Sequence, residues 1–374
     1  MVRSRMLALT LLLALPAVAR VPADDPRVVV IGHAVRARAG VVLSWSLTEL
    51  RARFSGTSLA IDVEERSAPA PVTSTPAPSV AATPAPRAAS TVRAPAVETD
   101  RLAVTIDGAR TDIALPAGAA SVILARGLAP GAHDVSIVKR TEPLVGDVAV
   151  RAFVLDDGAA LLDAPRARTH RVEIIGDSLA TGFGITGNGP DCPFSADTED
   201  ATVAFPALLG RRFDADVVAV AWSGRGVYRG FDGKSDRPSV PALWRAAAPT
   251  DRAPDAVVVA LGVNDFLEGV PDRGAFFAAY HALLDDVRKA YPKAWIVLAS
   301  PMPLSPKPDD PAATVAPEWI HAILTKRGDG RMSWVQLPPR DDALGLGCVW
   351  HAGPKMHERL AGVIGDHVAK WLKW

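Results

Sequence analysis

Three short stretches carry residue types suited to acyl transfer. "VEIIGDS" (172–178) runs an apolar segment into the hydroxyl of Ser178. "DVVAVAWSGRG" (216–226) ends in the turn Ser223-Gly224-Arg225-Gly226, and "DAVVVALGVND" (255–265) ends in Asn264 and Asp265. Acyl transfer needs a nucleophile and N–H donors aimed at the oxyanion it creates. A serine, a backbone N–H bared by glycine and an asparagine amide supply both. Each stretch alone is weak, because a serine after a strand serves as a helix N-cap and Asn-Asp fills turns for local reasons. In this order, each behind an apolar run, they are far more specific.

The hydroxyl also needs a base. Eight histidines are available. His281, His321, His357 and His367 fall in helical segments, His33 and His133 in a β-rich region, and His170 just before the first apolar run. His351 stands apart: it follows "LGLGCVW" in a loop ahead of the last helix. A loop after the last strand can hang over the carboxyl ends of a parallel sheet, where α/β proteins bind ligands.

The elements that must position these residues can be read from the pattern. After residue 170, "RVEIIG", "DVVAVAW", "DAVVVALG", "AWIVLASP" and "SWVQLP" are continuous apolar runs, as in strands covered on both faces. Between them, Phe276, Tyr280, Leu283, Leu284 and Val287 recur at helical spacing. Met356, Leu360, Ile364, Val368 and Trp371 form one stripe in 355–374. This half reads as a parallel sheet between helices, an α/β fold. Residues 26–164 instead offer short alternating runs punctuated by Gly, Pro and Asp, the pattern of an all-β sandwich or jelly roll. The Ala-, Pro-, Ser- and Thr-dominated stretch 67–97 breaks that pattern and reads as a disordered insertion within the β domain.

At 374 residues the chain favours two domains. Lys+Arg and Asp+Glu both number 41, which removes the main argument for nucleic acid or an anionic membrane as partner. Arg3 and Arg5, the apolar "MLALTLLLALP" and Ala17-Val18-Ala19 read as an export signal over 1–19, so a secreted or periplasmic protein without a membrane anchor is expected. Cys192 and Cys348 are the only cysteines; an even count in an exported chain favours a disulfide, with two free buried thiols as the alternative. Two thiols alone make no four-ligand zinc site, and no metal or cofactor is called for.

"IIGDSLATGFG", "AWSGRGVY", "ALGVNDF" and "GCVWH" resemble the blocks of SGNH (GDSL-type) hydrolases. With "GLAPGAHDVSIVKRTEP" and "CPFSADTED", the chain more specifically resembles carbohydrate esterase family 2. The resemblance implies a β jelly roll over 26–164 and a three-layer α/β/α SGNH domain over 165–374. It implies removal of acetyl groups from plant polysaccharides, often at primary O-6 positions. Ser178 is then the nucleophile, His351 the base and later the acid, and Gly224 and Asn264 join the Ser178 N–H as oxyanion donors. Gly226 is the alternative to Gly224. Trp350, beside the histidine, is either a sugar contact or a core residue.

One departure stands out. SGNH enzymes usually place an Asp two or three residues before the histidine, to orient the imidazole, though some family members work with a Ser–His dyad. Those positions here are Val349 and Cys348. The remaining readings are a Ser–His dyad, with a backbone carbonyl accepting the other ring N–H, or a triad completed by Asp341 or Asp342. Asp177 is expected to brace its turn. The β domain either binds glycan or walls one side of the cleft. A sugar-binding protein with an inactive site, and a lipase or thioesterase, are the competing functions.

Overall fold

Period-two alternation turns the first half of the chain into two sheets that share one apolar interior. In this computed structural model residues 18–37, 40–67, 98–304 and 310–374 are described. Eleven strands come first: β1 (Ala19–Pro22), β2 (Val29–Ile31), β3 (Val35–Ala37), β4 (Gly40–Leu43), β5 (Glu49–Gly56), β6 (Leu59–Ser67), β7 (Arg101–Ile106), β8 (Ala109–Ala114), β9 (Gly118–Ala125), β10 (Gly131–Lys139) and β11 (Gly146–Leu155). One sheet has the order β3-β4-β11-β6-β9, with β1 also paired to β11; the other is β2-β5-β10-β7-β8. The pairings within both are antiparallel. Leu43, Leu50, Phe54, Ile61, Leu102 and Phe153 are fully buried in one apolar cluster. This is a β sandwich, in which each strand turns one face inward.

β1 and β3 are not legible as alternating runs, being four and three residues long. β1 starts before residue 26, and Arg20, Val21 and Pro22 pair with β11. The expected signal segment up to residue 17 and the insertion from 68 to 97 lie outside the described residues.

The second half alternates strand and helix. Its strands are β12 (His170–Gly176), β13 (Ala215–Ala221), β14 (Ala256–Ala260), β15 (Trp295–Ala299) and β16 (Met332–Val335). All pair in parallel in the order β13-β12-β14-β15-β16. The helices are α1 (Ser178–Thr181), α2 (Phe205–Phe213), α3 (Val240–Ala246), α4 (Val263–Phe266), α5 (Arg273–Ala290), α6 (Pro311–Arg327) and α7 (Pro354–Leu372). Alternate strand residues feed two cores. Val172, Ile174, Val258 and Val297 pack with Leu209 of α2 and with Met356, Leu360, Ile364 and Val368 of α7. Ile175, Val257, Val259, Ile296 and Leu298 pack with Trp244 of α3, Phe276, Tyr280 and Leu283 of α5 and Ile320 of α6. The result is three layers, α/β/α. The α7 stripe is buried except at its end: Trp371 is 43% exposed and stacks on Trp295 at 4.8 Å between ring centroids.

Several ion pairs tie the sandwich to this second half, among them Arg51–Asp216 at 2.6 Å, Arg110–Asp200 at 2.7 Å and Arg101–Asp197 at 2.7 Å. The strand order fixes where a site can form. β12 is flanked by β13 on one side and β14 on the other, so the chain reverses direction across the sheet there. Such a switch point opens a crevice beyond the carboxyl ends of the strands.

Candidate active site

Ser178, the turn at 223–226 and Asn264 stand at the carboxyl ends of β12, β13 and β14, three adjacent strands. Ser178 is not the cap of its helix. Asp177 takes that role, its Oδ1 accepting the Leu179 N–H at 3.1 Å, and Ser178 is the first helical residue. Its hydroxyl is thereby released from capping, and the first N–H groups of a helix have no partner within it. Burial pushes the Asp177 carboxyl up to about 7, with the Leu179 N–H acting in the opposite direction. Asp177 is thus a brace under the turn, as expected.

The second strand end lies against the same helix. Ser223 Oγ is 3.3 Å from Thr181 Oγ1 of α1. Gly224 follows with φ 72°, a left-handed conformation that glycine adopts without strain. Gly226 has another duty. A side chain there would collide with the Asp265 carboxylate and the Arg229 carbonyl, so it packs the turn against the third strand end.

That third end starts at Gly262, whose φ of 125° turns the chain into α4. Asn264 is buried, and its Nδ2 donates to the Arg225 carbonyl at 2.9 Å. An amide nitrogen carries two hydrogens, so this bond orients the side chain and leaves one donor over. Asp265 accepts from the N–H groups of Val227, Tyr228 and Arg229 at 2.9, 2.8 and 2.9 Å. Burial raises its carboxyl to about 6 against the pull of those three donors. Asp265 was visible in the sequence only as the companion of Asn264; its work is to hold the glycine turn.

His351 lies on a loop with three backbone bonds to segment 184–192. Cys348 N–H donates to Gly184 O at 2.9 Å, Val349 N–H to Cys192 O at 3.2 Å, and Trp350 N–H to Pro190 O at 3.3 Å. The Cys192–Cys348 disulfide closes the same contact. Phe183 links the histidine to the serine helix. Its ring lies 4.6 Å from the His351 ring, stacks on Phe194 at 4.1 Å, and its N–H donates to Ser178 O at 3.2 Å.

His351 Nδ1 is 2.9 Å from the Val349 carbonyl oxygen. A carbonyl can only accept, so Nδ1 carries the hydrogen and Nε2 keeps its lone pair. Burial depresses the imidazole to about 4, opposed by its backbone partners at Val349 and Cys348. Both aspartates upstream are engaged elsewhere. Asp341 accepts from Ala343 N–H at 3.1 Å and faces Arg359 at 3.4 Å, and Asp342 pairs with Arg340 at 2.7 Å. Trp350 is 47% exposed, which removes it from the core, and the Arg340 guanidinium lies 5.8 Å from its ring centroid. No cluster suited to a metal ion occurs among the described residues.

Two family models match the chain in succession: the Carbohydrate esterase 2 N-terminal model over residues 30–165, and that of the GDSL-like Lipase/Acylhydrolase family over 174–328. The chain is similar to the cellulase/esterase CelE of Acetivibrio thermocellus, at 29% identity over 68% of this chain and 32% of that one. It is 30% identical to an acetylxylan esterase / glucomannan deacetylase of Cellvibrio japonicus over 45% of this chain and 49% of the relative. The chain thus spans about a third of the first relative and about half of the second. Among solved structures, a family two carbohydrate esterase from Clostridium thermocellum in complex with cellohexaose superposes with TM-score 0.78 at 23% identity, over 93% of this chain and 99% of that one. A carbohydrate esterase family 2 enzyme with a carbohydrate binding domain from Corynascus thermopiles gives 0.74 at 25% identity, over 93% and 100%.

Proposed function

Because the chain belongs to carbohydrate esterase family 2, we propose that it is an exported O-acetyl esterase acting on acetylated carbohydrate, with Ser178 and His351 as a catalytic dyad. The observation that carries this reading is the meeting of three strand ends at one switch point, with a histidine whose Nδ1 is committed to the Val349 carbonyl.

His351 Nε2 takes the Ser178 proton as Oγ attacks the acetyl carbonyl. The oxyanion that forms is met by the N–H groups of Ser178 and Gly224 and by the free Nδ2 hydrogen of Asn264. The imidazolium then protonates the departing sugar oxygen, leaving an acetyl group on Ser178. Water activated by His351 releases acetate and restores the hydroxyl. A carbonyl fixes the tautomer as an aspartate does, but it carries no full charge to stabilise the imidazolium. The depressed imidazole fits that environment: it is neutral and ready as a base over nearly the whole working pH range.

On this reading Trp350, half in water beside His351, offers its face to a sugar ring, and the sandwich walls the cleft. The sandwich, which includes β1 at Ala19–Pro22, forms the first domain, ahead of a hydrolase domain spanning 165–374. A substrate panel tests the proposal. Acetate release should be faster from acetylated xylan, acetylated glucomannan or simple sugar acetates than acid release from long-chain acyl esters. A preference for long chains points to a lipase or thioesterase. Binding to the glycans without hydrolysis of any ester, 4-nitrophenyl acetate included, makes it a sugar-binding protein.

A further inference from the structure

The site described so far is built by the parallel-sheet half, yet one buried carboxyl enters it from the sandwich. Glu142 follows β10 in "KRTE" (139–142) and is fully buried. Its Oε2 accepts the Ser223 N–H at 2.7 Å. Ser223 immediately precedes Gly224.

Behind Glu142 lies a second buried carboxyl, Glu199. The Glu142 N–H donates to Glu199 Oε2 at 3.3 Å. Oε1 of each glutamate is buried without a hydrogen-bond partner. Burial pushes both groups up, Glu142 to about 7 and Glu199 well above the usual range. Lys139, buried as deeply, anchors the loop: its Nζ donates to the carbonyls of Thr141 and Glu142 at 2.9 and 3.3 Å and lies 2.7 Å from Asp100.

Burying two carboxyls costs several kcal/mol unless they are paired, and a fold that needed only packing here could use apolar residues. Glu142 touches the oxyanion turn through Ser223, and the Ser223 hydroxyl in turn lies 3.3 Å from Thr181 Oγ1 of the nucleophile helix. We propose that Glu142, supplied by the β sandwich, is a positioning residue for the active site. Backed by Glu199, it holds Ser223 and so sets the direction of the Gly224 N–H toward the Ser178 hydroxyl. This inference rests on the role assigned above to Gly224.

Glu142→Gln and Glu142→Ala separate positioning from packing. Glutamine keeps the length of the side chain and an oxygen that accepts the Ser223 N–H. Removal of one oxyanion donor costs about 100- to 1000-fold in turnover, so misdirecting one through Glu142→Ala should cost about 10- to 100-fold in kcat on 4-nitrophenyl acetate, with KM nearly unchanged. Glu142→Gln should recover most of that loss. Should the alanine variant fail to fold, Glu142→Asp retracts the carboxyl from Ser223 and should show the same kcat-selective defect. Wild-type kcat in the alanine or aspartate variant overturns the inference, as does a defect in KM alone or a glutamine variant as slow as alanine. A wild-type protein that hydrolyses no ester refutes the esterase reading itself, and the inference falls with it; an active wild type with an indifferent Glu142 refutes the inference alone.

Discussion

Removing the Cys192–Cys348 bond should loosen the loop that carries His351, and both the stability and the rate lost can be anticipated. The two cysteines are 156 residues apart in sequence, so the chain-entropy model assigns the bond roughly 5 kcal/mol. For a domain of about 200 residues, each kcal/mol moves the melting temperature by about 2–4 °C, which gives a fall of about 10–20 °C for the hydrolase half. Part of the bond's stabilisation opposes local strain. Val349 and Trp350 both hold left-handed conformations, at φ 53° and 60°, each costing about 1–3 kcal/mol for a residue with a side chain. Three backbone bonds to segment 184–192 remain without the disulfide, but they must then hold two strained residues unaided. Relaxation at Val349 would carry away the carbonyl that fixes the imidazole. A displacement near 1 Å costs about 100-fold when it affects a reacting group, so the expected loss is about 10- to 100-fold in kcat. The assay compares wild type with the Cys192→Ala/Cys348→Ala double variant, by calorimetry and by initial rates on 4-nitrophenyl acetate below the lower melting temperature. A double variant with unchanged melting temperature and unchanged kcat refutes the reasoning.

Three further outcomes are expected. Asn264→Ala should lower kcat about 100- to 1000-fold while the protein still binds substrate, since one oxyanion donor is lost; a change confined to KM would assign Asn264 to substrate positioning instead. Asp341→Ala and Asp342→Ala should each keep near wild-type turnover, because their carboxylates serve Ala343, Arg359 and Arg340; a loss of orders of magnitude in a folded variant would make that residue a third catalytic member. The pH dependence of stability follows from the buried groups. His351 and His357 titrate at about 4 and about 3, below their unfolded value, so the stability they contribute is present above about 6.5 and lost as pH falls through those lower values. Asp177, Glu142 and Asp265 are raised, so their contribution is full below the ordinary carboxylate range and lost as pH rises through about 6 to 7, and Glu199 is raised in the same direction. His281 and His367 are depressed as well, but histidines take up protons in the unfolded chain only near and below about 6.5, so the melting temperature should rise as pH is lowered from about 8 to about 6.5 and decline below about 4; a maximum at alkaline pH in a melting series would contradict these environments.

Much of this arrangement was legible in the sequence because strands of a doubly covered sheet are apolar throughout, and the residue at which the apolar run stops marks a strand end. Ser178, Gly224 and Asn264 are all found that way, and His351 by its place in the loop before the final stripe. The five buried positions of α5 follow helical spacing without exception. What sequence could not supply is contact between distant segments. Glu142 sits in "KRTE", a polar stretch at a strand end that reads as an exposed turn, and only the docking of the sandwich on the hydrolase half buries it. Phe183 lies in the small-residue run after Ser178, with nothing to reveal that it faces His351 from across the chain. The Val349 carbonyl is a backbone atom with no sequence signature; the absence of an aspartate at 348 and 349 was the one hint that a backbone group would stand there. β1 and β3 escape notice because four or three residues are too few to establish alternation.

The central claim is a covalent acetyl group on Ser178, taken up with His351 as base. Mass spectrometry of protein quenched during turnover of 4-nitrophenyl acetate tests it most directly, with peptide mapping of any acetylated species. The account predicts one acetyl group on the peptide containing Ser178 in wild type, none there in Ser178→Ala, and a greatly slowed appearance in His351→Ala. Turnover in a folded Ser178→Ala variant at the wild-type rate, or acetylation mapped to a different residue as the kinetically competent intermediate, would contradict it.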